Sequence, residues 1–331
     1  MDAAPERLEE VGRALGALSG VRLWRRAPLA PFTTIGVGGR GALLAAVGTA
    51  EAAAAVLRIV ADAGVPGEVL GAGSNTLVAD NGYAGVLLKL DDGFQFVEGP
   101  FPGTAPREVD VVVGAAVPLP RLAAFLADRG LAGLEFACGI PGTVGGGVAM
   151  NAGAHGGCMA EAARAVELTL AGETRWVAAE ALEWEYRKCR LPEGAVVTAV
   201  RLGLVPGDRA RIFAQHRALL RHRRQTQPRG VRTFGSVFKN PPGDAAGRLL
   251  EAAGLKGLRR GGAQVSPVHA NFLTNVGEAT AADVLGLMAM MREAVRARGG
   301  PLLEPEVRLL GGRFPWDRSE REGEGTSAAY G

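Results

Sequence analysis

The sequence has few cysteines and no long apolar run. Its three cysteines, Cys138, Cys158 and Cys189, are odd in number and lack Cys-x-x-Cys spacing. This argues against a disulfide framework or a zinc site, so we expect no metal. No stretch of about eighteen uncharged apolar residues is present, so no membrane-spanning helix is predicted. The acidic, amphipathic N-terminus is not typical of a signal peptide, and we expect a cytoplasmic protein that does not act at a membrane.

The sequence also lacks a strong excess of one charge and is poor in aromatic residues. The formal net charge is +3 and the aromatic content is 5%. Residues 209–232 form the exception, with eight arginines and two histidines. A nucleic-acid binder could present such a helix, but the aromatic residues that stack on bases are missing, so we expect no nucleic-acid partner. Two interpretations stay open: arginines paired with acidic residues, or nucleotide phosphates bound by Arg223 or Arg224.

Glycine is abundant instead, with 49 residues in the chain, and some of them form runs at 36–41, 71–75 and 139–147. Clustered glycines indicate backbone packed closely against a neighbour or a ligand. The first run satisfies Gly-x-Gly-x-x-Gly, but a short, proline-interrupted segment precedes it where a dinucleotide fold needs a buried strand. The second breaks that pattern at Thr76, and the third has Val148 in place of the P-loop lysine. The runs therefore form either tight turns or a wrapping of backbone amides around a large anionic ligand.

Helical and strand-like patterns alternate along the chain and predict an α+β protein of two parts. Pro206 and Gly207 are typical of a boundary between them. Beyond it we predict an arginine-rich helix, a shorter helix, a strand, a long helix and a closing strand. Thr280 and Asp283 predict a capping box at the start of the long helix. The polar segment 313–331 has the composition of a disordered tail.

Seven blocks of the sequence form a recognisable series. They are PFTTIGVGG, LGAGSNTLVAD, GLEFACGIPGTVGGGVAMNAGAHG, YRKCRL, GSVFKNPPG, AGRLLEAAGLKGLRRGGAQVSPVHANFLTN and LEPEVRLLG. In this order they resemble the UDP-N-acetylenolpyruvoylglucosamine reductase family, a family of bacterial flavoenzymes, over about residues 28–312. Seven blocks in the same order are far more specific than any single glycine pattern.

The resemblance implies an α+β fold with two kinds of domain. An FAD-binding domain of the vanillyl-alcohol oxidase (PCMH) type would take residues 1–205, with α+β lobes at about 20–90 and 91–205. A C-terminal α+β substrate-binding domain would take residues 206–312. Only some 48 residues lie between Arg187 and Ser236. This spacing suggests the compact form of the family, which lacks an inserted loop carrying a substrate-covering tyrosine.

The resemblance also implies an activity and its cofactors. Family members use FAD, with NADPH as co-substrate, to reduce UDP-N-acetylglucosamine enolpyruvate to UDP-N-acetylmuramate for peptidoglycan. We therefore expect a UDP-sugar substrate and no obligate protein partner. One departure concerns flavin contact, because His155 stands where the family commonly has tyrosine. A sugar-nucleotide-binding protein without flavin is the alternative class.

The residues expected to contact the flavin follow from the matching blocks. They are Gly71, Ala72, Gly73, Ser74, Asn75, Thr76, Tyr83, Gly139, Ile140, Pro141, Gly142, Thr143, Gly145, Gly146, Asn151 and Gly153.

Three residues are expected to be catalytic. Reduction of an enol ether requires a hydride, which only a cofactor can supply, and a proton. By resemblance Ser236 donates that proton, although the local sequence alone favours a turn serine that satisfies a backbone N–H. Arg187 would stabilise the enolate-like charge, or would otherwise be a surface arginine. The catalytic carboxyl maps best to Glu306, protonated or bridged through Ser236 or water, with Glu304 as the competing assignment.

Substrate binding is expected from polar residues of the C-terminal blocks. These are Lys239, Asn240, Gln264, Asn271 and Arg308. Lys239 could lower the pKa of Ser236 and bind a substrate phosphate. The amides at 240, 264 and 271 could equally be core side chains that satisfy backbone groups.

Overall fold

The computed structural model describes residues 5–103 and 105–317, which form two compact units. Each unit is assembled from three separate segments of the chain. The first unit takes Met1–Ala27, Gly41–Ala72 and Ala84–Gln225, and the second takes Pro28–Arg40, Gly73–Tyr83 and Thr226–Gly331. A single break at 205/206 was expected, whereas here residues 206–225 belong with the first unit and two short N-terminal segments belong with the C-terminal part.

The described residues form eight α-helices and twenty strands. The helices are α1 Pro5–Gly16, α2 Ala50–Asp62, α3 Leu119–Asp128, α4 Val144–Ala149, α5 Met159–Ala162, α6 Arg209–Thr226, α7 Ala246–Ala252 and α8 Ala281–Arg296. The strands are β1 Val21–Pro28, β2 Arg40–Val47, β3 Gly67–Val69, β4 Thr76–Val78, β5 Tyr83–Leu90, β6 Val97–Pro102, β7 Val109–Gly114, β8 Leu131–Ala132, β9 Gly153–Ala154, β10 Gly157–Cys158, β11 Ala163–Leu170, β12 Glu173–Ala178, β13 Glu183–Glu185, β14 Lys188–Arg190, β15 Val196–Pro206, β16 Arg232–Ser236, β17 Arg259–Arg260, β18 Ala263–Val265, β19 Phe272–Asn275 and β20 Arg308–Leu310. None of these helices combines the length and apolar character needed to cross a bilayer.

The first unit is built on two sheets with separate cores. One sheet has the order β1-β2-β5-β3, and its core includes Val56 of α2 and Leu88 of β5. The other has the order β12-β11-β15-β7-β6, with β8 also paired to β15. Its core includes Leu122 of α3 and Val113 of β7. Both cores pair a helix with a sheet, as an α+β fold requires.

Local sequence explains where α2 begins and ends. The Thr49 hydroxyl accepts the Ala52 N–H at 3.2 Å and caps the helix. An alanine-rich interior favours the helix, and Gly64 follows its end with φ +59°.

The second unit consists of a four-stranded sheet, a parallel pair and two helices. The sheet order is β16-β19-β18-β17, and β20 pairs in parallel with β4. Its core joins Leu250 of α7 and Met288 of α8 to Ile35, Val37 and Leu77 from the N-terminal segments. The short segments therefore supply part of the hydrophobic interior of this unit.

The N-terminus of α8 has the predicted capping box. The Thr280 hydroxyl accepts the Asp283 N–H, and the Asp283 carboxylate accepts the Thr280 N–H, each at 3.0 Å. Asp80 adds a cap that the sequence did not predict, accepting the N–H groups of Ala281 at 2.7 Å and Ala282 at 2.9 Å.

The segment predicted as one closing strand divides between two partners. Glu304–Glu306 runs antiparallel to Val237–Lys239, with a bridge between Phe238 and Pro305. Only Arg308–Leu310 forms β20. A change of partner at Val307 therefore replaces the single strand.

The predicted disordered tail, 313–331, lies mostly outside the described residues. Within its described part, Phe314 and Trp316 stack with ring centroids 5.0 Å apart and pack against the core of the second unit. The Phe314 N–H donates to Asp317 at 3.0 Å. The start of this segment is therefore packed.

Candidate active site

The glycine-rich segment of the first unit presents backbone N–H groups around the start of α4. Gly139 and Gly142 have φ values of +69° and +128°, which favour glycine. The Thr143 hydroxyl accepts the Gly146 N–H at 3.4 Å and caps the short helix. The N–H groups of Gly139, Gly142 and Thr143 donate to no acceptor within the described residues. Such groups suit an anion such as a pyrophosphate.

Some glycines of the segment are explained by packing. A Cβ on Gly145 would lie 2.9 Å from the Cβ of Ala115, so α4 can approach β7 only with glycine there. A Cβ on Gly153 would lie 2.7 Å from the carbonyl oxygen of Gly157 within the β9–β10 hairpin. Within the same run, therefore, some glycines are required by close packing of the backbone, while others present backbone N–H groups that a ligand could bind.

Gly71 meets this segment from the end of β3. A Cβ on Gly71 would lie 3.2 Å from the Thr143 hydroxyl, and one on Gly146 would lie 3.5 Å from it. Lys89 holds the loop by donating from Nζ to the Gly71 carbonyl oxygen at 3.1 Å, and burial lowers the pKa of Lys89. Open glycine backbone, available amides and a threonine hydroxyl together fit a flavin dinucleotide. Lys89 was not predicted, because a lysine in a strand has no distinctive pattern.

The chain continues from Gly71 into the second unit, where Gly73 and Asn75 are fixed by backbone contacts. Gly73 has φ +63°, and a Cβ there would clash with the Phe32 carbonyl oxygen. The Asn75 Nδ2 donates to the Glu306 carbonyl oxygen at 3.0 Å, and the Arg308 N–H donates to the Asn75 carbonyl oxygen at 3.0 Å. Asn75 thus ties the predicted flavin loop to the segment of the predicted catalytic carboxyl.

The other predicted flavin contacts lie in or near these loops. Ala72, Ile140 and Pro141 are in the first unit, and Ser74, Thr76 and Tyr83 are in the second. Asn151 is different, since Nδ2 donates to the Glu185 carbonyl oxygen at 2.9 Å and Oδ1 accepts the Ala160 N–H at 3.1 Å. Both ends of this amide therefore bind protein groups.

A β-bulge positions Ser236 at the end of β16. Between the pairs Thr233↔Thr274 and Ser236↔Phe272, β16 has one more residue than β19. Gly235 adopts φ +85°, and its N–H donates to the Thr233 hydroxyl at 3.3 Å. Bulges of this kind re-aim the next side chain. The Ser236 hydroxyl makes no hydrogen bond to the described residues.

Ser236 is followed directly by the residues that pair with the Glu304–Glu306 segment. The Glu306 N–H donates to the Val237 carbonyl oxygen at 2.8 Å, and the Lys239 N–H donates to the Glu304 carbonyl oxygen at 2.9 Å. The Lys239 ammonium pairs with the Glu304 carboxylate at 3.2 Å. Glu306 is half-buried, whereas the side chain of Glu304 is 75% exposed. The two candidate carboxyls therefore have different surroundings.

The three predicted substrate-binding amides hydrogen-bond to backbone. Asn271 is buried and brackets Phe238, accepting its N–H at 3.0 Å and donating to its carbonyl oxygen at 2.8 Å. Asn240 accepts the Ala246 N–H at 3.0 Å at the start of α7. Gln264 donates to the Gly257 carbonyl oxygen at 3.3 Å. Only Asn271 is a core side chain, since Asn240 is exposed and Gln264 is half-buried, and the substrate-binding role of all three stays a prediction.

Arg187 is the second residue of the two-residue turn between β13 and β14. Glu185 pairs with Lys188 across this turn, and Arg187 takes φ +61°, which is uncommon for a non-glycine residue. Its Nη1 donates to the Gly153 carbonyl oxygen at 2.7 Å. The guanidinium is therefore anchored to the glycine-rich segment.

Comparison with known proteins agrees with this arrangement. Residues 42–177 match the profile of an FAD binding domain, and residues 227–310 match the C-terminal domain of UDP-N-acetylenolpyruvoylglucosamine reductase. The chain is 50% identical over 293 residues to the UDP-N-acetylenolpyruvoylglucosamine reductase of Anaeromyxobacter dehalogenans, covering 88% of this chain and 87% of the relative. It is 43% identical over 298 residues to that of Myxococcus xanthus, covering 89% and 94%.

A solved structure extends the similarity to the fold. The crystal structure of UDP-N-acetylenolpyruvylglucosamine reductase from Thermus caldophilus matches with a TM-score of 0.76 and 38% identity. The match covers 88% of this chain and 99% of the other. An FAD-binding domain joined to this C-terminal domain defines an FAD-dependent oxidoreductase. The chain belongs to the UDP-N-acetylenolpyruvoylglucosamine reductase family. The predicted family, α+β fold and flavin cofactor are confirmed.

Proposed function

We propose that this chain reduces UDP-N-acetylglucosamine enolpyruvate to UDP-N-acetylmuramate, a precursor of peptidoglycan, with NADPH as reductant. The names of the relatives support this substrate class. Bound FAD would supply the hydride chemistry, which no side chain can perform. The proposal includes a cytoplasmic enzyme that works without a nucleic acid, a membrane or an obligate protein partner.

Ser236 would donate the proton that completes the reduction. The observation that carries this assignment is the glycine bulge, which orients a half-buried hydroxyl that is free of hydrogen bonds to the described residues. A structural turn serine would normally bond to a nearby backbone group. The hydroxyl is thus available to a substrate, and a general acid held in position contributes about 10²–10⁴ in rate.

Arg187 would stabilise the negative charge that develops on the substrate. Its bond to the Gly153 carbonyl oxygen and its turn conformation hold the guanidinium in a fixed orientation. A charge that is already oriented stabilises a transition state without further reorganisation. Glu306 would be the third catalytic residue, since it is half-buried whereas Glu304 is exposed at the surface.

The two half-reactions test this function separately. Anaerobic NADPH should bleach the oxidised flavin spectrum, and UDP-N-acetylglucosamine enolpyruvate should restore it. In Ser236→Ala we expect bleaching at the wild-type rate, because hydride transfer to the flavin needs no proton from Ser236. Recovery of the spectrum should slow by about 10²–10⁴.

The bleaching step is the internal control for folding and flavin binding. Wild-type protein that is bleached by NADPH but is not reoxidised by this substrate would contradict the proposed substrate. Recovery at the wild-type rate in Ser236→Ala would remove the serine from its role.

A further inference from the structure

Basic side chains from three elements of the first unit meet beside the glycine-rich segment. Arg187, in the turn between β13 and β14, donates to the Gly153 carbonyl oxygen at 2.7 Å. Gly153 begins the β9–β10 hairpin, whose turn carries His155 at φ +54°. The ring of His155 meets the ring of His222, on α6, edge-on with centroids 5.7 Å apart. Two hairpins and a helix thus converge at one place.

Arg223 adds a guanidinium to this cluster. It follows His222 on α6, and its Nε lies 3.2 Å from the position that a Cβ on Gly139 would take. Burial lowers the pKa of Arg223, the Cys138 thiol opposes this, and the charge of Arg187 lowers it further. The pKa of His155 is lowered by burial and by the charges of Arg223 and His222. Arg223 and His155 form no ion pair with a carboxylate of the described residues.

The arginine at the start of the same helix behaves differently. Arg209 pairs with Asp128 at 2.5 Å, as expected for a solvated helix whose arginines bind acidic residues. Arg223 is half-buried and faces other cations instead. A partly desolvated guanidinium without a counter-charge is unfavourable, and an anionic ligand would supply what is missing.

We propose that Arg223, His155 and His222 form a subsite for a phosphate group of a nucleotide ligand other than the flavin. The planar guanidinium matches phosphate oxygens with two parallel hydrogen bonds, and the imidazoles add donors and, when protonated, charge. The inference rests on the proposed function for the ligands that it considers. The phosphate is either the diphosphate of the UDP-sugar or the 2′-phosphate of NADPH.

Equilibrium binding to the FAD-loaded protein distinguishes these two sources. Calorimetry measures the binding of UDP-N-acetylglucosamine, NADP⁺ and NAD⁺ to Arg223→Gln and to a control variant, Arg211→Gln. Arg211 is exposed and lies on the same helix, about 18 Å before Arg223. Arg223→Gln should raise the Kd of the bound phosphate ligand about tenfold or more, and Arg211→Gln less than about twofold. Weaker binding of UDP-N-acetylglucosamine by Arg223→Gln would show that the subsite holds the diphosphate. Weaker binding of NADP⁺ but not of NAD⁺ would show that it holds the 2′-phosphate.

The histidines are tested by pH with whichever ligand responds. Because imidazolium attracts phosphate, wild-type protein should bind it more tightly at pH 6 than at pH 8. The double variant His155→Gln/His222→Gln should lose most of that difference. Among the other groups facing the rings, burial raises the pKa of the Cys138 thiol, so this thiol keeps its proton over this range.

The proposed subsite is contradicted if Arg223→Gln raises the Kd of both phosphate ligands no more than Arg211→Gln does. It is also contradicted if only the affinity for FAD falls. Should Arg223→Gln fail to retain flavin, Arg223→Lys replaces it. That variant keeps the charge, loses the planar fork and should weaken binding about threefold or more. Binding is measured without turnover, so a protein that binds these ligands but does not react contradicts the proposed function and leaves the subsite standing.

Discussion

Glu304 and Glu306 are two residues apart, yet the structure gives them different chemistry. Glu304 forms an exposed ion pair with Lys239, and such pairs contribute less than about 1 kcal/mol. Glu306 is half-buried and lies opposite Val237, the neighbour of Ser236. We expect Glu306→Gln to slow flavin reoxidation by substrate at least about 10²-fold in stopped-flow absorbance.

The matched control is Glu304→Gln, which removes the same charge two positions earlier. It should change the reoxidation rate by less than about threefold, because only a surface pair is lost. The reverse order of the two variants would transfer the catalytic assignment to Glu304.

For single residues, the sequence indicated which residues belong to the candidate site better than it indicated the groups that each of them contacts. Ser236, Arg187 and Glu306 were assigned because matching blocks carry them, and these roles stay predictions. The surroundings depend on long-range contacts that no local pattern contains. Asn271 resembled a ligand amide, yet it brackets the backbone of Phe238, 33 positions away. The bulge before Ser236 was not predicted either, although its φ of +85° at Gly235 favours glycine.

At the scale of elements, the start of α8 combines two caps. Asp80 binds the first two N–H groups of the helix, and the Thr280 capping box binds a third. Asp80→Ala should lower the free energy of unfolding by about 1–2 kcal/mol, because the unbonded helix donors and the helix dipole lose their anionic partner. Urea unfolding followed by circular dichroism measures this change.

Asp62 provides a control of opposite expected sign. It is exposed in the last turn of α2, where a negative charge opposes the helix dipole. Asp62→Ala should leave stability unchanged or raise it slightly. Equal losses in the two variants would mean that Asp80 acts through general surface charge and not as a cap.

Helices and strands with strong local signals were predicted well, and those defined by partners were not. The alanine-rich α2 and the capping box of α8 follow from propensity and side-chain hydrogen bonds within a few residues. The closing segment was predicted as one strand because the alternation of its side chains carries no information about which segment each half pairs with. Its two halves pair with chain segments 67 and 232 positions earlier.

At the scale of the whole molecule, the second unit cannot be obtained as one continuous piece. Ile35, Val37 and Leu77 are almost fully buried in its core, and β4 is the partner of β20. A fragment of residues 206–331 lacks all of these, so we expect poorly dispersed amide resonances and no cooperative unfolding. The full chain under the same conditions is the control. A folded fragment would show that these buried contacts are dispensable.

The boundary near residue 206 was predicted from Pro206 and Gly207. Pro206 is the last residue of β15, but the chain passes from the first unit to the second at 225/226. Local breakers mark the ends of elements, but they do not show which distant segments share a core. The α+β class was therefore predictable, while the interleaving of the chain between the two units was not.

The parallel pairing of β4 with β20 also determines how late in translation the second unit can complete its core. Thr76 leaves the ribosome 232 residues before its partner Arg308. At bacterial elongation rates of about 5–20 residues per second, this amounts to roughly 10–50 s. Throughout that interval Ile35, Val37 and Leu77 have no completed core to enter. The nascent chain therefore presents apolar surface to chaperones until its final third has been translated.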